Sequence, residues 1–234
     1  PAGTGRFSGA ATVTVEASGR NFDPRADDNA TAQVPFTVST DHVGPDEARA
    51  GRWVSGTFGW WWRYEDGSYP TSTQLRIDGA IYRFNARGYM VTGWVYEDGQ
   101  WYYYGASGGQ SAGWVRVHGT WYYLDPLTGA MASGWTKVQG TWYYLSSSGA
   151  MRTGWMRDGS AWYYLTSSGA LATGWQRVGS SWYYLSPDGG AMATGWLRDG
   201  DAWYYLTSSG AMATGSRWID GTRYAFDDEG RLMP

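Results

Sequence analysis

The chain has 234 residues, among them 35 Gly, 17 Trp and 19 Tyr but no Cys, and carries a formal net charge of -3. Aromatic residues make up 18% of it and charged residues only 17%, far from ordinary globular usage. The near-neutral balance argues against a surface for nucleic acid or anionic membrane, and the lack of Cys removes disulfides, thiolate nucleophiles and Cys-based metal sites.

Residues 1 to about 56 come first and stand apart. Ala11 to Ala17 (ATVTVEA) and Gln33 to Ser39 (QVPFTVS) read as strands from their β-branched content, with Pro35 marking an edge. Acids are scattered as Asp23, Asp27, Asp28, Asp41, Asp46 and Glu47 beside His42, and no nucleophile elbow, HExxH or Gly-rich phosphate loop accompanies them. No catalysis is expected in this chain, and any attached hydrolase domain is expected outside it. The isolated histidines, His42 and His118, leave little for zinc, so neither metal nor cofactor is expected. The segment is expected to be a small β module, a domain remnant or a linker. No stretch approaches a membrane span, and a start at Pro1 suggests a piece of a longer or processed protein.

Self-similarity organises residues 57–234. A half-copy, GWWWRYEDGSYP, begins at Gly59, and a weak copy, QLRIDGAIYRFNARGYMVT, follows at residues 74–92. Six nearly regular units, such as GWMRDGSAWYYLTSSGALAT from Gly154, then repeat every 20 to 21 residues over residues 93–214. A last divergent copy closes residues 215–234, so that residues 57–92 and 215–234 read as caps. In each unit two short aromatic or β-branched runs flank a tight turn, such as Asp158-Gly159, Asp199-Gly200 or Gln139-Gly140, which predicts a β-hairpin. A turn centred on Asp158-Gly159 sets Trp155 opposite Trp162 with Tyr164 on the same face, while Tyr163 and Leu165 point the other way. A hairpin this small cannot stand alone, so the fold class is all-β, a β-hairpin solenoid of about 20-residue repeats stacked on a thin Tyr/Leu core.

The divergent copies separate the two faces. WYYL becomes Arg223-Tyr224-Ala225-Phe226 at one end and Ile81-Tyr82-Arg83-Phe84 at the other, and the GW Trp becomes Ser216 and Gln74. Tyr and Phe persist while the Trp, Trp, Tyr face is lost, so the Tyr/Leu face is expected to be the structural seam and the Trp face the site. Two Trp and a Tyr with no adjacent carboxylate suit a cation that cannot donate hydrogen bonds, above all a quaternary ammonium. One such box is a weak, roughly millimolar site, and repetition along a rod supplies avidity. With no titrating group expected in the lining, binding should depend little on pH near neutrality.

The motif GW-x(6)-WYYL-x(3,4)-GAMxT resembles the choline-binding, or cell-wall-binding, repeats of Gram-positive surface proteins and phage lysins, and residues 63–94 look like their leading repeats. The resemblance covers about three quarters of the chain. It implies a superhelical hairpin solenoid that is secreted, attached to the cell wall, and bound to the choline of phosphocholine-decorated teichoic or lipoteichoic acid. The family's pocket takes the GW Trp and the first WYYL Trp from one hairpin, the second WYYL Tyr from the next, and often a Met. Carried over, the first box is Trp94, Trp101 and Tyr123, with Gln110 where Met is usual. The second is Trp114, Trp121, Met131 and Tyr144, and the third Trp135, Trp142, Met151 and Tyr164. Then come Trp155, Trp162, Leu171 and Tyr184, followed by Trp175, Trp182, Met192 and Tyr205. A sixth, Trp196, Trp203 and Met212, meets Ala225 where the Tyr should stand and is expected to be weak or empty.

Arg116, Lys137, Arg157, Arg177 and Arg198 each follow a GW Trp by two residues, on the same strand face, and are candidates for the phosphate of phosphocholine; the alternative is that they lie over the neighbouring Trp. Two other readings compete. Aromatic platforms also stack on sugars, and the repeats are similar to glycan-binding repeats of glucan-binding proteins and clostridial toxin tails, although those usually lack the second hairpin Trp. A purely structural spacer or dimerisation rod would leave twelve Trp exposed without a ligand, and a homodimer through the terminal hairpins is a further candidate partnership of the module.

Overall fold

The computed structural model describes residues 45–234, so the strands expected at 11–17 and 33–39, and Asp23, Asp27, Asp28, Asp41 and His42, lie outside the described residues. Among the described residues eighteen strands form nine antiparallel hairpins, each its own two-stranded sheet. The first hairpin joins β1 (Gly51–Gly56) to β2 (Gly59–Tyr64), across the boundary expected at residue 56, and the second joins β3 (Thr73–Ile77) to β4 (Ala80–Phe84). The six regular units supply hairpins three to eight: β5 (Gly93–Glu97) with β6 (Gln100–Tyr104), β7 (Gly113–Val117) with β8 (Thr120–Leu124), and β9 (Gly134–Val138) with β10 (Thr141–Leu145). They continue with β11 (Gly154–Asp158) and β12 (Ala161–Leu165), β13 (Gly174–Val178) and β14 (Ser181–Leu185), and β15 (Gly195–Asp199) and β16 (Ala202–Leu206). The ninth hairpin is β17 (Gly215–Ile219) with β18 (Thr222–Phe226). No helix occurs among the described residues.

Two turn chemistries close the eight hairpins after the first. At Gln139-Gly140, φ is 49° and 83°, the two positive values of a type I′ turn, and His118-Gly119 matches at 48° and 86°. In the Asp-Gly-Ser and Asp-Gly-Asp units the turn lies one residue later than expected: Asp158 pairs with Ala161, and Gly159 leads the turn with φ 57°. A glycine that leads suits the type II′ form, which needs φ > 0 only at its first position, and this releases Asp158 and Asp199 from the turn into the last strand position. Register shifts accordingly: Trp155 faces Tyr164, and Arg157 faces Trp162, rather than Trp155 facing Trp162. The division of faces is unchanged, because the slip is two residues.

The core is a single file. Leu124, Leu145, Leu165, Leu185 and Leu206, the last letters of WYYL, are fully buried, with Phe84, Tyr104 and Phe226 in the same position of the flanking units. Each loop then returns along the strand that precedes it, as in the bridge between Leu145 and Met151. One backbone bond ties each loop to the hairpin before: Met131 N–H donates to the Trp101 carbonyl at 2.8 Å, and Met151 does the same to Trp121. The loop glycines permit this approach. Gly149 has φ 79°, and a Cβ there would stand 2.2 Å from Met131 Sδ. Stability therefore accrues hairpin by hairpin from buried Leu, each worth about 1.5–3 kcal/mol. Tyr104 brings a cost, since its buried hydroxyl has no hydrogen-bond partner and burial pushes its pKa up to about 12.

Candidate functional site: aromatic boxes between hairpins

Nine hairpins create eight junctions, and each junction holds the GW position of one hairpin against the next. Trp94 shows the pattern. Its ring lies 5.0 Å from Tyr103, its cross-strand partner, and 4.8 Å from Tyr122 of the following hairpin, while Trp101 stands 6.4 Å away at 88°. The third wall is thus the first Tyr of the next WYYL, not the second. Tyr123, expected there, lies 5.1 Å from Trp114 of its own hairpin and buttresses that ring from behind. Tyr144, Tyr164, Tyr184 and Tyr205 do the same for Trp135, Trp155, Trp175 and Trp196. The residues that close the boxes are Tyr122, Tyr143, Tyr163, Tyr183, Tyr204 and Tyr224, at 4.8–5.0 Å from the Trp of the preceding unit.

The aliphatic wall also moves, by one repeat. Leu232 lines an open cleft of about 360 Å³ with Trp196, Trp203 and Tyr224. The same backbone bond that sets Leu232 against Trp203 sets Met131 against Trp101, Met151 against Trp121, Leu171 against Trp142, Met192 against Trp162 and Met212 against Trp182. Every loop residue therefore serves the box before the one expected, and Gln110 belongs not to Trp94 but to Ile81, whose carbonyl it meets at 2.8 Å. The sixth box, expected to be weak because of Ala225, is complete: Ala225 pairs with Ser216 inside its own hairpin, and Tyr224 supplies the wall.

A further box escaped the sequence. Trp53 on β1 lies 4.8 Å from Tyr82 at 61°, the geometry of Trp94 with Tyr122, and Met90 N–H donates to the Trp60 carbonyl. Trp53, Trp60, Tyr82 and Met90 therefore occupy the four positions of a box. The signal was weak because Arg52-Trp53-Val54 lacks the GW dipeptide and a Trp-rich β2 hides the repeat frame. This box also explains why the divergent copies keep their first Tyr: Tyr82 and Tyr224 are walls for the hairpins preceding them, so the Tyr/Leu seam and the binding face share a residue. Only the second junction is polar, with Gln74 in place of the Trp and Arg83 in place of the buttressing Tyr. Gln74 Nε2 donates to Glu97 Oε2 at 3.0 Å, and Arg83 forms an ion pair with the same carboxylate.

Carboxylates, contrary to expectation, do border two boxes. Trp135 Nε1 donates to Asp158 Oδ2 at 2.9 Å, and Trp175 Nε1 to Asp199 Oδ2 at 2.8 Å. The basic residues lie on the Trp face as expected, each directly opposite a Trp, as Arg157 is to Trp162 and Arg177 to Trp182. Two have partners: Lys137 Nζ sits 5.5 Å over the Trp142 ring, and the exposed Arg116 donates from Nε to the Gly119 carbonyl of its own turn. Arg157, Arg177 and Arg198 are exposed beside their boxes. Of the scattered acids, Glu47 forms an ion pair with Arg76 at 3.5 Å, and the Asp46 carbonyl accepts the Arg76 N–H.

Stacked hairpins with an aromatic box at nearly every junction define a repeat-built binding module. The choline-binding repeat family matches residues 71–112, 98–133, 132–173 and 172–216, more than half of the chain, and the chain belongs to that family. Such repeats are non-catalytic binding modules of cell-surface proteins of Gram-positive bacteria. The chain is similar to CbpJ from Streptococcus pneumoniae, with 38% identity and a TM-score of 0.66 over 75% of this chain and 62% of that one. It is similar also to choline binding protein F of the same organism, solved in the presence of a peptidoglycan analogue, at 37% identity and a TM-score of 0.66 over 75% and 61%. The modular autolysin LytC of Streptococcus pneumoniae shares 34% identity and a TM-score of 0.58 over 79% of this chain and 42% of that one. The chain thus spans about three fifths of the first two relatives. No curated protein sequence matches it.

Proposed function

We propose that the chain anchors a surface or secreted protein to the cell wall by binding choline on teichoic or lipoteichoic acid at many boxes at once. The observation that carries this reading is the box itself. Two Trp rings at right angles, 6.4 Å apart, and a Tyr 4.8 Å from the first present three π-faces around one small volume, closed by Met or Leu. A trimethylammonium group fits that chemistry, because it offers charge without N–H donors and its methyls pack on rings. Each ring contributes about 0.5–2 kcal/mol, so a single box is weak, and a rod of seven facing a polymer with many cholines holds by effective concentration.

Intrinsic Trp fluorescence and near-UV CD, titrated with choline and with glucose and maltose as controls, test the reading. A saturable change at millimolar choline is expected, absent with the sugars and reduced in a Trp121→Ala, Tyr143→Ala variant that opens one box. A response to the sugars and none to choline would replace this reading with a glycan-binding one.

A further inference from the structure

The junctions are not equivalent, and the difference lies at one position. The last residue of each hairpin's first strand faces the GW residue of the hairpin before it: Glu97 meets Gln74, Asp158 meets Trp135, and Asp199 meets Trp175. In the other junctions of the regular array that position is Val117, Val138, Val178 or Ile219. The polar junction shows what an acid does there. Glu97 holds a cation, the Arg83 guanidinium, which stands where the buttressing Tyr does in the other junctions. At the Asp158 and Asp199 junctions the aromatic walls are present and the acid is retained, so a carboxylate sits fixed on the indole edge of a box. The N–H···O⁻ bond orients the indole and pushes electron density toward its ring face, and the charge attracts any cation resting on that face.

Building on the choline-binding reading, we infer that Asp158 and Asp199 are affinity-determining residues that divide the array into two kinds of box. The box bordered by Asp199 (Trp175 with Trp182) takes the cation first and those bordered by Val or Ile fill later, while at the box bordered by Asp158 the Lys137 ammonium over Trp142 competes for the same face. Coulomb attraction over a few ångströms near water is worth about a fivefold difference in dissociation constant. The type II′ turn makes the arrangement available, since a leading Gly159 or Gly200 returns the preceding aspartate to the strand.

Site-resolved titration tests this, with choline added to the ¹⁵N-labelled protein and each Trp Nε1–H resonance followed. Trp175 and Trp182 should saturate at about one fifth of the choline needed by Trp155 and Trp162. Asp199→Asn, which keeps an acceptor for Trp175 and removes the charge, should bring that box to the affinity of its neighbour without moving the neighbour. Reciprocally, Val178→Asp should tighten the Trp155 box about fivefold, which keeps the test available if the Asn variant disturbs the turn. Saturation of both boxes together in the parent protein, or unchanged affinity in both variants, would overturn the inference and leave choline binding intact. Indole resonances that no choline concentration moves in any box would overturn both.

Discussion

Tyr224→Ala should weaken the last box of the array, a site that its own repeat, with Arg223 and Ala225, disguises. The Tyr224 ring lies 4.8 Å from Trp196 at 74° and closes a cleft with Trp203 and Leu232. Trp196 remains held from the other side by Tyr205 at 5.2 Å, so the substitution deletes one wall without freeing the next. One aromatic face on a cation is worth about 0.5–2 kcal/mol, which weakens choline at that box by roughly 2- to 30-fold. The indole signals of Trp196 and Trp203 in a choline titration report it directly, with the Trp94 and Trp114 boxes as internal controls. Ala225→Tyr, by contrast, should change nothing at this box, because residue 225 faces Ser216 within its own hairpin. Unchanged binding in Tyr224→Ala, or tighter binding in Ala225→Tyr, would refute the assignment of the first WYYL Tyr as the wall.

Two further outcomes concern stability. Gly169→Ala should cost about 1–3 kcal/mol in urea unfolding, since Gly169 has φ 86° and the added Cβ would meet Met151 Sδ at 2.4 Å, whereas Gly179→Ala, with φ 63° and nothing within 4 Å, should cost only the backbone share, about 1 kcal/mol. Tyr104→Phe should be neutral or stabilising by up to about 1 kcal/mol at pH 7, because it removes a buried hydroxyl without a partner. The same substitution should flatten the alkaline limb. With the folded phenol raised to about 12, stability is untouched below pH 10, where both states stay protonated. It then falls between pH 10 and 12 as the unfolded chain ionises, a loss of roughly 2–3 kcal/mol in the parent that the variant should not show. Equal alkaline slopes in urea titrations of parent and variant would contradict the burial argument.

Much of the molecule is written locally. The hairpins, their period and the Trp-rich face follow from β-branched and aromatic runs around Gly-containing turns, because strand alternation and turn chemistry act over a few residues. Leu165 and its counterparts were legible as core for the same reason, the face opposite the Trp residues being the one left to bury. Which turn residue leads was less legible. Asp158-Gly159 looks like a type I′ pair, yet Gly159-Ser160 forms the turn, at the same distance from Trp155 as Gln139-Gly140 is from Trp135.

Partnership across junctions was decided only in the tertiary structure. A repeat of 20 to 21 residues says that hairpins stack, and leaves open which Tyr and which Met of a neighbour reach a given Trp, since both Tyr recur in every unit and an offset of one whole repeat leaves the periodic pattern the same. Backbone bonds from each loop to the hairpin before it, such as Met131 to Trp101, settle that offset, and they place Tyr122 rather than Tyr123 against Trp94. The box of Trp53, Trp60, Tyr82 and Met90, the completeness of the box at Trp196, and the aspartates on Trp135 and Trp175 all follow from it. Sequence by itself determined the unit and its two faces, because these are properties of single strands. Stacking determined the sites, because each is shared between hairpins and exists in neither alone.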